Sequence, residues 1–486
     1  MNFPLKKLVV VGGGVIAWWA AVFIKKTNPS LDVTLLHDRV SEVYAESSDS
    51  DFSYLLKLIG LSEQDLLQYA DGNFYCAQAY FDWSRDTENY FHSSYVSDLD
   101  YDVVPYSQWL AKLKLAGMPI NVDEYLLAST AARLGQVTLS EQHKILSAGI
   151  SFDTARFVGL LSSYAQTLNI NVLNDEIKRV NLTENGVIES VVTVGESVIA
   201  GDFFVDVTGR DAKLLGCKLQ VGYESWSQYL PCDRKKILKS KPKSERLIPF
   251  TAAQLRAVGW VKNIPLKSQL IAEFVFNATA LAATDGQDAT SQLFLESETH
   301  IFSPGMRKKT WYKNCLALGP AAVTFDNFSH SSLYVAAVTL KWFVEFWPSC
   351  PEVALVENEF NRLMEIEFHA IRDFHCLHYV LAKKSDTPFS RLLQEIKLPD
   401  SLRYRMELFS ASGRSLADES TLVQASQWDN IFLGFGFWPK TADCMLANVT
   451  VNELELWSNT IKAKLQKNIA NSPDYTRYMA TLISAR

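Results

Sequence analysis

The chain opens on an unbroken apolar run, Leu8-Val9-Val10-Val11, closed by Gly12-Gly13-Gly14 and followed at once by Val15-Ile16-Ala17-Trp18-Trp19-Ala20-Ala21. A continuous apolar run, a glycine break and a second apolar stretch predict a short buried strand, a tight turn and a helix. A second strand is predicted at Val33-Thr34-Leu35-Leu36, ending in His37-Asp38. Helical spacing then covers Phe52 to Ile59 and resumes after Ser62, where Ser62-Glu63-Gln64-Asp65 reads as a helix start. Phe74–Trp83 alternates as a strand does, and Tyr90–Val104, polar and aromatic, reads as loop. A helix is predicted from Asp153, with Phe157, Leu160, Leu161 and Tyr164 on one face. Four strand-like pieces follow (171–173, 177–182, 187–194 and 197–200), the second and third joined by Thr183-Glu184-Asn185-Gly186. Further on, Gln269–Thr284 reads as sheet, and Val335–Phe346, Pro351–Val380 and Val451–Ala470 read as helices.

The first glycine turn carries chemistry. Gly12-x-Gly14-x-x-Ala17 fits the G-x-G-x-x-G/A dinucleotide fingerprint. Gly12 permits the turn, Gly14 lets the backbone approach a pyrophosphate, and Ala17 keeps helix and strand close, while the amides from Val15 onward face the phosphates. The acidic residue expected at the end of the second strand is replaced by His37, with Asp38 one place late, so either serves the ribose. A second strand-to-turn junction, Val205-Asp206-Val207-Thr208-Gly209, lies far along the chain. Two nucleotide-type turns separated by a hairpin-rich insertion favour FAD over NAD.

Composition narrows the class. With 486 residues, the chain exceeds one ordinary core, so two subdomains or one large intertwined module are expected. A net charge of −7 argues against nucleic acid as the main partner, and 12 tryptophans suit a flat apolar substrate or an aromatic-rich core. The seven cysteines form no CxxC pair and read as reduced, mostly buried cytosolic thiols. No apolar run approaches the ~18 residues of a membrane span, and no signal-peptide pattern is present, so a cytoplasmic protein with no membrane role is expected. The basic run Arg234, Lys235, Lys236, Lys239, Lys241, Lys243 and Arg246 reads as a solvated loop. His369, His375, Cys376 and His378 share helical spacing, but no acidic ligand follows in register, and no metal is expected.

Ordered motifs carry a resemblance. The opening turn with Trp18, Asp153-Thr154-Ala155-Arg156-Phe157, Val205-Asp206-Val207-Thr208-Gly209 and Gly259-Trp260-Val261-Lys262-Asn263-Ile264-Pro265-Leu266 are four of them. Leu318-Gly319-Pro320-Ala321-Ala322, Arg372-Asp373-Phe374 with His378-Tyr379, and Asp386-Thr387-Pro388-Phe389 continue the series. Together they resemble the flavin-dependent tryptophan halogenases from about residue 5 to residue 460. The resemblance implies bound FAD, reduced by a separate flavin reductase. It also implies halide oxidised at the flavin, with hypohalous acid travelling through the protein to a lysine.

Three departures stand out against that pattern. Tyr75 occupies the lysine's place in Gly72-Asn73-Phe74-Tyr75-Cys76-Ala77-Gln78-Ala79-Tyr80-Phe81-Asp82-Trp83, and a phenol is no ammonium. Lys262 stands where the W-x-W-x-I-P signature has its second tryptophan. In Phe325-Asp326-Asn327-Phe328-Ser329-His330-Ser331-Ser332, Asn327 replaces a proline and Ser329 replaces a glutamate. Lys262 reads either as a relocated catalytic lysine or as a filler of the indole's space, facing solvent or a carboxylate such as Asp326. His330 reads as a general base or as a hydrogen-bonded structural histidine.

The expected fold is α/β, a glutathione-reductase-type FAD domain intertwined with a largely helical substrate-binding part. The FAD segments are expected at about 1–45, 150–220 and 300–350, and the substrate segments at about 46–149, 221–299 and 351–486. The resemblance implies cofactor contacts from Gly12, Gly14, Val15, Ala17, Trp18, His37 or Asp38, Asp206, Gly209, Gly319, Ala322 and Asp326. It implies substrate contacts from Trp83, Trp260 and Phe328, and leaves Tyr75, Lys262, Ser329 and His330 as candidate catalytic groups. The expected activity is hydroxylation of an aromatic or indole-type small molecule, or of a tryptophan side chain in a partner protein, by reduced FAD and O2. Halogenation with relocated residues and a catalytically silent FAD-binding protein are the alternatives, and a homodimer is an allowed state.

Overall fold

The computed structural model describes residues 4–37, 44–48, 52–84, 89–93, 99–140, 145–146, 148–242, 244–284, 288–349, 353–415 and 421–484. The chain divides into two compact units. One comprises Met1–Gly72, Ile150–Ser227 and Phe302–His369; the other comprises Asn73–Gly149, Gln228–Ile301 and Ala370–Arg486. The boundaries put 46–72 and 351–369 with the first unit, whereas the sequence pattern groups them with the substrate segments.

The first unit is built on a six-stranded sheet in the order Trp311–Tyr312, Cys315–Ala317, Phe203–Val207, Lys7–Gly12, Asp32–His37, Asn171–Asn174. All neighbours run parallel except the first pair. Lys7–Gly12 sits at the switch point, with Phe203–Val207 on one side and Asp32–His37 on the other. Its residues from Leu8 to Gly12 are buried, as a strand covered on both faces requires. Helix Gly14–Thr27 makes the crossover to Asp32–His37, and its residues from Val15 to Ile24 are all buried. That accounts for the run of apolar residues without a polar face. A separate sheet joins Ile177–Leu182, Ile188–Thr193 and Val198–Ala200, the hairpin insertion expected from the sequence.

The second unit carries a seven-stranded sheet, in the order His300–Ile301, Arg234–Ser240, Leu270–Phe276, Gly259–Pro265, Phe250–Leu255, Ala77–Phe81, Asn89–His92. Two readings change here. Arg234–Ser240 is a strand, not a solvated loop: it pairs along its whole length with Leu270–Phe276 at the sheet's edge, where lysines are tolerated. Asn89–His92 is also a strand, because Phe91 and Tyr90 pair with Ala79 and Tyr80. Helix Val451–Ala470 matches its expected bounds and is opened by a capping box, Thr450 with Glu453. Among the described residues, no helix is long and apolar enough to cross a membrane.

Candidate active site

In the first unit, the carboxyl ends of the parallel strands converge on three loops. Gly12 has φ +128°, and a Cβ there would collide with the Val207 carbonyl on the neighbouring strand. Only glycine lets the two central strands come this close. Helix Gly14–Thr27 begins with Gly13 at the cap, no side-chain hydrogen bond to its first amides and no acidic residue in its first turn. Those amides are left for an external anion. Gly209 has φ +72°, and a Cβ on it would meet no atom within 4 Å, so its outer face is open. Gly319 has φ +59°, and a Cβ there would lie 2.5 Å from the Ile16 side chain, which pins the third loop against the helix. Ala322 closes that loop, its amide donating to the Gly319 carbonyl at 2.9 Å. Ala17 is fully buried, and Trp18 is buried with its ring 5.5 Å from that of His37. Asp38 lies outside the described residues. A glycine-lined, uncapped helix start beside the open Gly209 loop and the closely packed Gly319 loop fits a dinucleotide pyrophosphate, and Gly12, Gly14, Val15, Gly209, Gly319 and Ala322 are the residues that would hold it.

Asp206 does something other than reach outward. It is fully buried, and one carboxylate oxygen accepts from the Thr208 amide (3.0 Å) and hydroxyl (2.6 Å). The other accepts from the amides of Leu214 and Leu215, at 2.9 and 2.8 Å. Its backbone carbonyl accepts from Leu318 at 3.0 Å. The expected cofactor contact is therefore replaced by a structural role: Asp206 ties the Gly209 loop to the Gly319 loop. Burial pushes its carboxyl above the ordinary carboxylate range, and the hydrogen bonds oppose that shift.

Asp326, Phe328 and His330 are buried in the loop after Val323–Thr324, while Ser329 is half-buried. Ser331 ends the loop by capping helix Ser332–Glu345, accepting from the Tyr334 amide at 3.1 Å. Asn327 adopts φ +53° and accepts from the Ser332 hydroxyl at 2.9 Å. Proline, with φ locked near −65°, cannot take that conformation.

In the second unit, Trp83 and Trp260 are fully buried in an aromatic core. Trp260 donates its indole N–H to the Tyr379 hydroxyl at 2.8 Å, and Trp83 stacks at 6.1 Å from Tyr379 and 6.4 Å from Phe435. His378 donates from Nδ1 to the Phe374 carbonyl (2.7 Å) and accepts from the Tyr80 hydroxyl (3.2 Å), so its ring nitrogens are committed. No group of histidine, cysteine and acidic residues among the described residues is placed to hold a metal.

Lys262 does not face solvent. It is 4% exposed, on strand Gly259–Pro265, directly opposite Glu273, itself 2% exposed. Opposed positions on antiparallel strands place side chains on one face. The same register puts Ala253 and then Tyr80 beside Lys262, and Thr251, Gln78 and His92 in the neighbouring row. A band of buried polar groups thus crosses an otherwise apolar sheet face. Tyr75 is half-buried at the end of strand Asn73–Tyr75, which is separate from the strand Ala77–Phe81 that carries Tyr80. Glu273 escaped the sequence reading; the signal was a lone carboxylate in the apolar run Leu270–Phe276, one short hairpin away from Lys262.

A family model described as tryptophan halogenase matches residues 7–450. The chain belongs to the tryptophan halogenase family. It is 21% identical to the tryptophan 7-halogenase of Kutzneria sp. (strain 744), over 98% of both chains, and 25% identical to the tryptophan 6-halogenase of Streptomyces toxytricini, over 82% of this chain and 83% of that one. In fold it matches a flavin-dependent halogenase from Brevundimonas sp. BAL3, with a TM-score of 0.91 at 23% identity, covering 99% and 100% of the two chains. The family's fold, an FAD-binding Rossmann-type α/β architecture, agrees with the parallel sheet and its glycine turn.

Proposed function

We propose that this protein is an FAD-dependent oxygenase that hydroxylates an aromatic, indole-type substrate, with reduced flavin delivered by a separate reductase. The observation that carries the reading is the contrast between its two ends. The dinucleotide cradle keeps its glycines and its uncapped helix start. The positions that handle oxidised halide in the family hold Tyr75 and Ser329. A phenol, with an ordinary pKa near 10, is neutral at pH 7 and carries no ammonium protons to hold hypohalous acid. A serine hydroxyl supplies neither the negative charge nor the basicity of a glutamate.

Bound reduced FAD supplies the activation of O2. The protein's part is to hold the pyrophosphate on the amides after Gly13 and to keep the loops at Gly209 and Gly319 in place through Asp206. A halogenase with a relocated lysine is the second reading, supported by the burial of Lys262 opposite Glu273. The test supplies purified protein with FAD, a flavin reductase, NADH, O2 and a panel of indoles, with and without bromide. Mass spectrometry is expected to find one added oxygen whether or not halide is present; a brominated indole would support the second reading instead.

A further inference from the structure

Strand Arg234–Ser240 lies next to the end of its sheet and is only half covered. Its inner side pairs with all of Leu270–Phe276, but on its outer side only Arg234 and Lys235 meet another strand, His300–Ile301. Among the described residues, no strand covers the outer edge of Lys236–Ser240. Although the chain carries a net charge of −7, this segment bears Arg234, Lys235, Lys236 and Lys239 with no acidic residue. Beyond Ser240 it runs straight into a cavity of about 690 Å³, where Lys241, Arg246 and Lys267 outnumber Glu245 among Leu247, Ile248 and Leu266. Leu293 and Leu295 (each 71% exposed) and Ile301 (56%) add apolar surface near the other end of the strand, where Lys236 donates to the Phe294 carbonyl at 3.1 Å.

We infer that this edge docks an extended, acidic segment of a partner protein, which adds a strand along Lys236–Ser240 and seats an apolar side chain in the adjoining cavity. Open backbone groups recognise an extended chain through main-chain hydrogen bonds, and flanking pockets choose its side chains. Cross-strand pairs of opposite charge are favourable, so several glutamates facing this strand favour the register. Lysines on an edge repel a second lysine-bearing edge, which disfavours a second copy of this chain pairing there by its own strand. The inference does not depend on which reaction the flavin performs.

The test uses fluorescence anisotropy with the full-length protein and short labelled peptides in low salt. A peptide of alternating glutamate and leucine is expected to bind, and the lysine–leucine counterpart is not. The K239E/K241E variant should weaken binding about tenfold or more, with its FAD content and thermal melt unchanged. N-methylation of alternate peptide amides should weaken it comparably, because it removes the edge hydrogen bonds. Failure of the glutamate–leucine peptide to bind would overturn the inference. So would equal affinity for the K239E/K241E variant, equal affinity of the N-methylated peptide, or binding of anionic phospholipid vesicles in place of the peptide.

Discussion

Gly12 lies so close to Val207 across the two central parallel strands that any side chain on it would strike the Val207 carbonyl oxygen. The obstacle is backbone, which cannot rotate aside. Gly12→Ala should therefore force the strands apart and move the first amides of helix Gly14–Thr27 off the pyrophosphate. Overpacking and a left-handed φ together should cost about 2–5 kcal/mol. Chemical denaturation and FAD titration by fluorescence quenching are expected to show loss of stability and of flavin affinity together.

The loop at Asn327 offers a reading of backbone alone. Because Asn327 has φ +53°, Asn327→Gly should be tolerated within about 1 kcal/mol, whereas Asn327→Pro should destabilise by more than that. Restoring the family's proline would thus harm this chain, and the melting temperatures of the two variants check the contrast.

Lys262 and Glu273 provide a test of coupling. Each is buried directly opposite the other on paired strands, and Lys262→Met or Glu273→Met alone should destabilise the protein. The double variant should recover much of that loss. A double-mutant cycle by urea denaturation gives the coupling energy, and additive single effects would separate the two residues energetically.

His92 makes stability pH-dependent. Burial lowers its pKa from 6.5 to about 4, so the folded protein holds it neutral where the unfolded chain is already protonated. Its contribution is complete above pH 6.5 and is lost as pH falls toward 4, by up to about 3 kcal/mol over that interval. His92→Gln should flatten this part of the stability-against-pH curve, measured by denaturant unfolding at a series of pH values.

Much of this was legible in the sequence because local pattern and tertiary role coincide. The run from Leu8 to Ala21 is apolar on every side, and the structure buries it on every side. Helices Thr154–Thr167 and Val451–Ala470 announce themselves by an acidic or threonine cap and helical spacing. What misled was pairing over long sequence separations. Arg234–Ser240 looks solvated because its strand neighbour is 30 to 42 residues away, Arg234 opposite Phe276 and Ser240 opposite Leu270. Trp83 and Trp260 meet Tyr379, from far down the chain, only in the fold. Asp206 sits in a motif associated with the cofactor, but only the fold shows its four donors arriving from the following loop.

The proposed loss of halide chemistry rests on Tyr75 and Ser329 acting as a missing pair. Groups that work as a unit do not return activity singly, so Tyr75→Lys or Ser329→Glu alone should add little. The most direct measurement incubates the unaltered protein with FAD, a flavin reductase, NADH, O2, bromide and tryptophan or simpler indoles, and identifies every product by mass spectrometry. An oxygenated aromatic product with no brominated one is the expected result, and a brominated indole formed by the unaltered protein would contradict the account.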